Sequence, residues 1–151
     1  MSNSALPPQN RTPVGKQMSH LDPTGGLKLQ VCEDCNTVQY PPRELCKHCL
    51  GPKLEWAKID AGGTVLACTT LFTSLEPYFR ERLPWRIGTV KLDCGPVLMT
   101  HIAASCHRRD ARVQVMFARD DGGSALLVAV PESAVNGIGE EKSVVELMAL
   151  E

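Results

Sequence analysis

The chemistry in this sequence starts with its cysteines. Cys32/Cys35 and Cys46/Cys49 are two Cys-x-x-Cys pairs separated by ten residues. Each pair presents two thiolates from one tight turn. Two such turns facing each other complete a tetrahedral set of four sulfurs, which suits zinc at about 2.3 Å per Zn–S bond. The segment from Asn36 to Leu45 is long enough for a short strand and a return, so the spacing describes a zinc ribbon. A catalytic zinc keeps an open coordination position, and four cysteines leave none. The expectation is one structural Zn2+ per chain on Cys32, Cys35, Cys46 and Cys49, contributing folding energy to a segment too small to bury enough apolar surface. A redox pair or an iron site are the other chemistries this spacing admits. His48 lies between Cys46 and Cys49, but a complete cysteine set leaves it on the solvated side of the knuckle.

Three cysteines remain: Cys68, Cys94 and Cys106. A nucleophilic thiol needs a base and a setting that stabilises the thiolate. Cys106 has His107, Arg108 and Arg109 beside it in sequence, but neighbours in sequence do not make a geometry. Cys94 reads as a turn residue and Cys68 as a small core residue. No catalytic residue is assigned. A second constellation, Tyr78, Phe79, Arg80, Arg82 and Trp85, combines aromatic rings with guanidinium groups, the mixture found at interface hot spots. The alternative is that Phe79 and Trp85 cap the core.

These groups must be positioned by a chain of 151 residues with 43% hydrophobic and 22% charged residues, ordinary values for a globular protein. No apolar run approaches the roughly 20 residues that span a bilayer, and the N-terminus shows no apolar signal core. A cytoplasmic protein with reduced thiols and no membrane partner is expected. The formal net charge is −1, and 5% of residues are aromatic. A single-strand binder needs stacking rings in a basic groove, so no nucleic-acid partner is expected.

Residues 1–26, rich in Pro and Gly, read as an extended arm, either disordered or ordered against a partner. Residues 27–53 form the ribbon, with strands expected at Leu27–Val31 and Thr37–Tyr40. Residues 54–131 form the next unit, starting at the alternating Leu54–Ile59, where Trp56 covers the join to the ribbon. The blocks Gly63–Thr73, Trp85–Leu92, Val97–Ile102, Arg112–Ala118 and Ala125–Val130 are strand-like, with turns at Asp93–Pro96 and Asp120–Gly123. A helical turn is expected through Tyr78–Arg82. Five short strands with one long interruption predict a mostly β fold: a rubredoxin-like zinc ribbon followed by a five-stranded OB-fold barrel. Residues 132–151 form a tail ending in a short amphipathic helix that needs a surface to dock on.

The pieces LQVCEDCNTVQYPPRELCKHC, LEWAKIDAGGTVLACTTL and WRIGTVKLDCGPVLMTHI resemble a family of zinc-ribbon/OB-fold proteins called acyl-CoA-associated, formerly a domain of unknown function. The resemblance covers roughly Leu27 to Pro131. Asn36 departs from it, since a glycine is common after the first knuckle, as does Leu50-Gly51-Pro52 after the second. The resemblance implies a non-catalytic accessory subunit of an acyl-CoA-processing enzyme, foremost a thiolase (an acyltransferase) in breakdown of an aromatic or other organic acid. The partner is then a thiolase-like catalytic chain in a hetero-oligomer, and acyl-CoA is met indirectly. In that setting His107, Arg108, Arg109 and Arg112 are candidates to meet the phosphates of coenzyme A, against the alternative of a solvated loop. Service to an acyl-CoA hydratase or aldolase, and a single-strand-binding OB module, are the alternatives.

Overall fold

The structure is a computed structural model and describes residues 6–135 and 142–151. Two sheets organise it. In the first, β1 (Lys28–Cys32) is flanked by β2 (Val38–Gln39) and β3 (Leu54–Lys58), both antiparallel to it. Strand β3 is thus the third strand of the ribbon, paired from Lys58 against Lys28 to Leu54 against Cys32. This corrects the expectation that Leu54–Ile59 opens the next unit. Its alternation marks a strand, but alternation carries no information about which edge the strand joins.

The second sheet is a closed barrel of β4 (Gly62–Leu71), β5 (Trp85–Leu92), β6 (Val97–Ile102), β7 (Arg112–Arg119) and β8 (Ala125–Val130), in the order β4-β5-β6-β8-β7. All pairs are antiparallel except β6 with β8, where His101 faces Val128 and Ile102 faces Ala129. That parallel pair closes the ring and removes the open edges. Val65, Val90, Leu98, Val113, Phe117 and Val128 fill the interior. Each such side chain contributes about 1.5–3 kcal/mol by leaving water. A bulge between Val65 and Ala67 shifts the register of β4 and turns Leu66 outward. Gly88 allows the tight crossing: a Cβ there would run into the Ala67 carbonyl oxygen and the Ile102 side chain.

The arm carries a helix and packs on its own chain, a correction to the expectation of an extended arm. Helix α1 (Pro13–Ser19) starts where Thr12 Oγ1 accepts from the Gly15 N–H at 3.1 Å. Pro13 sits in the first helical turn, where no intrahelical N–H is needed, so this proline starts a helix rather than breaking one. Met18 then packs into the core. Trp56 is half-buried, and its Nε1–H donates to Gln17 Oε1 at 3.2 Å, so it meets the arm.

Three further short helices follow: α2 (Pro77–Arg80), α3 (Glu132–Val135) and α4 (Val144–Met148). Ser143 and Glu146 form a reciprocal cap on α4. Val144, Leu147 and Met148 are buried, whereas Val145 is exposed. The tail residues Gly137, Gly139 and Glu140 lie outside the described residues.

Candidate metal centre

The two knuckles are built alike. In the first, the Asn36 N–H donates to the Cys32 carbonyl at 2.9 Å and the Cys32 N–H to Thr37 O at 3.0 Å. In the second, the Leu50 N–H donates to the Cys46 carbonyl at 3.0 Å and the Cys46 N–H to Gly51 O at 2.9 Å. Asn36 and Leu50 occupy equivalent places and share a left-handed backbone, with φ of 59° and 61°. That conformation is the reason a glycine suits the position.

The turns bring the four sulfurs within 4.8 Å of one another. Cys32 Sγ lies 3.5 Å from Cys49 Sγ, and Cys35 Sγ 3.6 Å from Cys46 Sγ. A regular tetrahedron with Zn–S bonds of about 2.3 Å has edges of about 3.8 Å, so the donor set fits zinc. Hydrogen bonds from the Thr37 side chain and backbone hold the Cys35 thiol down to about 6. The Gly51 backbone favours the Cys49 thiolate, but the Cys32 sulfur, desolvation and the sulfurs of Cys35 and Cys46 outweigh it and push Cys49 up to about 12. Four crowded sulfurs therefore resist joint deprotonation unless a cation joins them. Zinc held by all four is structural. The His48 side chain is exposed and outside this set, while its backbone N–H donates to Cys46 Sγ at 3.4 Å.

A pair of buried amides holds the loop between the knuckles. Gln30 and Gln39 face each other across β1 and β2. Gln39 Nε2 donates to Gln30 Oε1 and to Leu45 O, and its Oε1 accepts from the Lys47 N–H at 2.9 Å. Gln30 Nε2 donates to Arg43 O at 2.9 Å, and its Oε1 accepts from the Arg43 N–H at 2.8 Å. Sequence reasoning missed both residues. Their one available signal was glutamine at strand positions shortly before and after the first knuckle.

Cys106 and Cys94 are not set up for chemistry. Cys106 is buried, with its Sγ–H directed at Ala103 O and Ala129 O, and burial pushes the thiol up. Burial also raises Cys94, whose Sγ–H points at Asp60 O. His107 Nε2 contacts Thr69 O at 2.9 Å, and Arg108 donates to Ser105 O. Arg109 is exposed beside Asp110. Arg112 makes a two-pronged pair with Asp93 at 2.9 and 2.7 Å, with Glu132 3.6 Å away. This pairing holds the Asp93 carboxyl below the usual carboxylate range. The basic run seen in sequence is therefore divided: Arg112 clamps β7 to the β5–β6 hairpin, and the other three lie on the preceding loop.

The aromatic constellation is mostly internal. Tyr78 and Trp85 are 3% and 4% exposed. Phe79 meets Tyr78 and Trp85 edge to face, each with ring centroids 5.2 Å apart. Arg82 covers the Tyr78 ring at 3.9 Å and lies 3.4 Å from Asp121, which accepts from the Tyr78 hydroxyl at 3.0 Å. Burial first, and then Asp121, push the Tyr78 hydroxyl up to about 12. Arg80 donates to Ser74 O and Leu75 O, and so shapes the loop before α2. That loop carries Phe72 and Leu75, which are 76% and 94% exposed. No helix among the described residues is long and apolar enough to cross a membrane.

Comparison with known proteins bears on this arrangement. No curated protein matches the chain. The solved structure of an Ltp2-ChsH2(DUF35) aldolase superposes with a TM-score of 0.67 at 20% identity, covering 82% of this chain and 98% of that one. At that identity the likeness is one of fold. Residues 22–55 match the ChsH2 rubredoxin-like zinc ribbon domain, and residues 56–118 match the ChsH2 C-terminal OB-fold domain. With the cysteine cluster and the closed barrel meeting these two matches in turn, the chain belongs to the family that joins a ChsH2-type zinc ribbon to a ChsH2-type OB-fold domain.

Proposed function

We propose that this chain is a non-catalytic, zinc-stabilised accessory subunit of an enzyme that processes acyl-CoA thioesters, and that its partner is a thiolase-like catalytic chain. The observation that carries the reading is the apolar strip Leu71, Phe72 and Leu75, exposed on a loop that Arg80 fixes from below. A rigid loop presenting bare apolar side chains is a docking element. Tyr78 and Trp85 serve this surface as its buried support rather than as contacts. Arg109 remains the freest of the four basic residues for a coenzyme A phosphate, because Arg112 is engaged by Asp93. The acyl-CoA and thiolase parts of the reading rest on the sequence resemblance. An aldolase partner is the second reading, favoured by the likeness of fold to the Ltp2-ChsH2(DUF35) aldolase. A cytoplasmic location goes with either.

A single-strand-binding module has less support. Phe72 is the only fully exposed aromatic residue among those described, and the net charge is −1.

The test is native purification with identification of the copurifying chain. One large chain at fixed stoichiometry is expected, with acyl transfer or carbon–carbon cleavage of an acyl-CoA in that complex and none in the small chain alone. Leu75→Glu is expected to abolish copurification while zinc content and far-UV CD stay as in the wild type. A chain that elutes alone and turns over an acyl-CoA by itself sinks the proposal.

A further inference from the structure

A cavity of about 280 Å³ lies on the outer face of the barrel, where three parts of the chain meet. The arm supplies Arg11 and Met18, the ribbon supplies Tyr40, and the barrel supplies Ile87, His101 and Leu126. Its walls are mostly apolar, and Arg11, Tyr40 and His101 are among the polar residues that line it, with Ser19 and Thr100.

The state of His101 is set by a neighbour. Trp85 Nε1–H donates to His101 Nδ1 at 2.8 Å, so the neutral ring carries its own proton on Nε2. Burial pushes His101 down to about 4, which keeps the ring neutral near pH 7. Among the described residues no acceptor meets Nε2–H, and none meets the Tyr40 hydroxyl. Arg11 gives one N–H to Gln9 Oε1 at 3.1 Å and keeps its other donors. No acid lines this cavity; Asp120 lines an adjoining cavity of about 200 Å³ that shares Arg11, His101 and Leu126. Its carboxylate already accepts from the Gly122 and Ser124 N–H groups.

Three donor side chains, one of them cationic, thus line a small, mostly apolar space beside the buried, unpartnered Thr100 hydroxyl, and none of them is engaged there. Pockets of this kind, apolar with a few convergent polar groups, take small ligands whose polar end matches those groups. We propose that this cavity binds a small, mostly apolar monocarboxylate. Arg11 pairs with the carboxylate, and the Tyr40 hydroxyl and His101 Nε2–H donate to it. The hydrocarbon part lies against Met18, Ile87 and Leu126. One guanidinium balances one negative charge, and the volume is at the low end for ligand sites. The site shares no residue with the Leu71–Leu75 strip and does not depend on the accessory-subunit reading.

The test is a titration of the full-length, zinc-loaded, ¹⁵N-labelled chain with benzoate and hexanoate, with benzyl alcohol and hexanol as uncharged comparators. The Trp85 indole N–H resonance, assigned with a Trp56→Phe variant, reports on the His101 ring. A saturable shift with the acids is expected, with the alcohols at least about tenfold weaker. Arg11→Gln is expected to weaken acid binding about tenfold, the loss of a charge-assisted pair. Tyr40→Phe, which keeps the ring and its packing, weakens it several-fold even if Arg11→Gln loosens the arm. Absence of a saturable shift overturns the proposal. So does equal binding of acids and alcohols, or acid affinity that neither variant changes.

Discussion

The two knuckles place unlike residues in the same strained backbone. Asn36 and Leu50 both have φ near 60°, a region that costs an ordinary L-residue roughly 1–2 kcal/mol. Asparagine adopts this region more readily than most residues, whereas leucine does not. Leu50 is 71% exposed, so little packing offsets the strain. Leu50→Gly is therefore expected to stabilise the ribbon by about 0.5–1 kcal/mol, after allowing for glycine's greater freedom when unfolded. Asn36→Gly is expected to be near neutral. Paired thermal melts of the zinc-loaded variants check the difference, and equal shifts for both would contradict the strain argument. The sequence already marked these two positions as departures from the family pattern, but it could not say that the backbone made one of them costly.

At the scale of elements, pairing and burial decide what alternation cannot. The ends of β5 and β8 were legible because Pro84, Gly95-Pro96, Gly122-Gly123 and Pro131 flank them. The edge that β3 joins was not, since Leu54–Lys58 alternates equally well beside either sheet. Helix α1 was missed because Pro13 and Gly15 count as breakers until Thr12 is recognised as a cap. Cys32, Cys35, Cys46 and Cys49 were legible because metal ligation demands a spacing. Arg11, Tyr40 and His101 were not, because only tertiary folding brings them to one cavity. The glutamine pair belongs to the same class. Gln39 is 1% exposed and ties β2 to the loop that carries Leu45 and Lys47. Gln39→Leu keeps the volume but leaves the Lys47 N–H and a Gln30 acceptor site without their partner. A buried unsatisfied group costs about 1–3 kcal/mol, so the variant should lose that much stability and bind zinc more weakly. Competition with a chelator measures the second effect. Unchanged zinc affinity would mean the second knuckle is held without the amide pair.

For the molecule as a whole, the question is how far the ribbon and the barrel depend on each other. No ladder joins the two sheets among the described residues. Leu27, Leu29 and Met18 nevertheless belong to the same buried cluster as the barrel core. Zinc in small ribbons contributes on the order of 10–16 kcal/mol, as much as the whole stability of a typical domain. Strands of two and five residues cannot replace that by burial. The barrel differs, since its five strands close on themselves around a continuous interior. Chelation is therefore expected to unfold the ribbon and leave a barrel that is intact but melts lower, having lost the cover of Leu27 and Leu29. Acid should act in the same direction, because protons compete with zinc for the thiolates. Hydrogen exchange separates the two parts: amides of β1 and β3 should lose protection on chelation, while those of β5 and β7 keep theirs. Simultaneous loss in both sheets would show one cooperative unit. Protection unchanged after complete zinc removal would show that the ribbon is held by its packing against the arm and barrel.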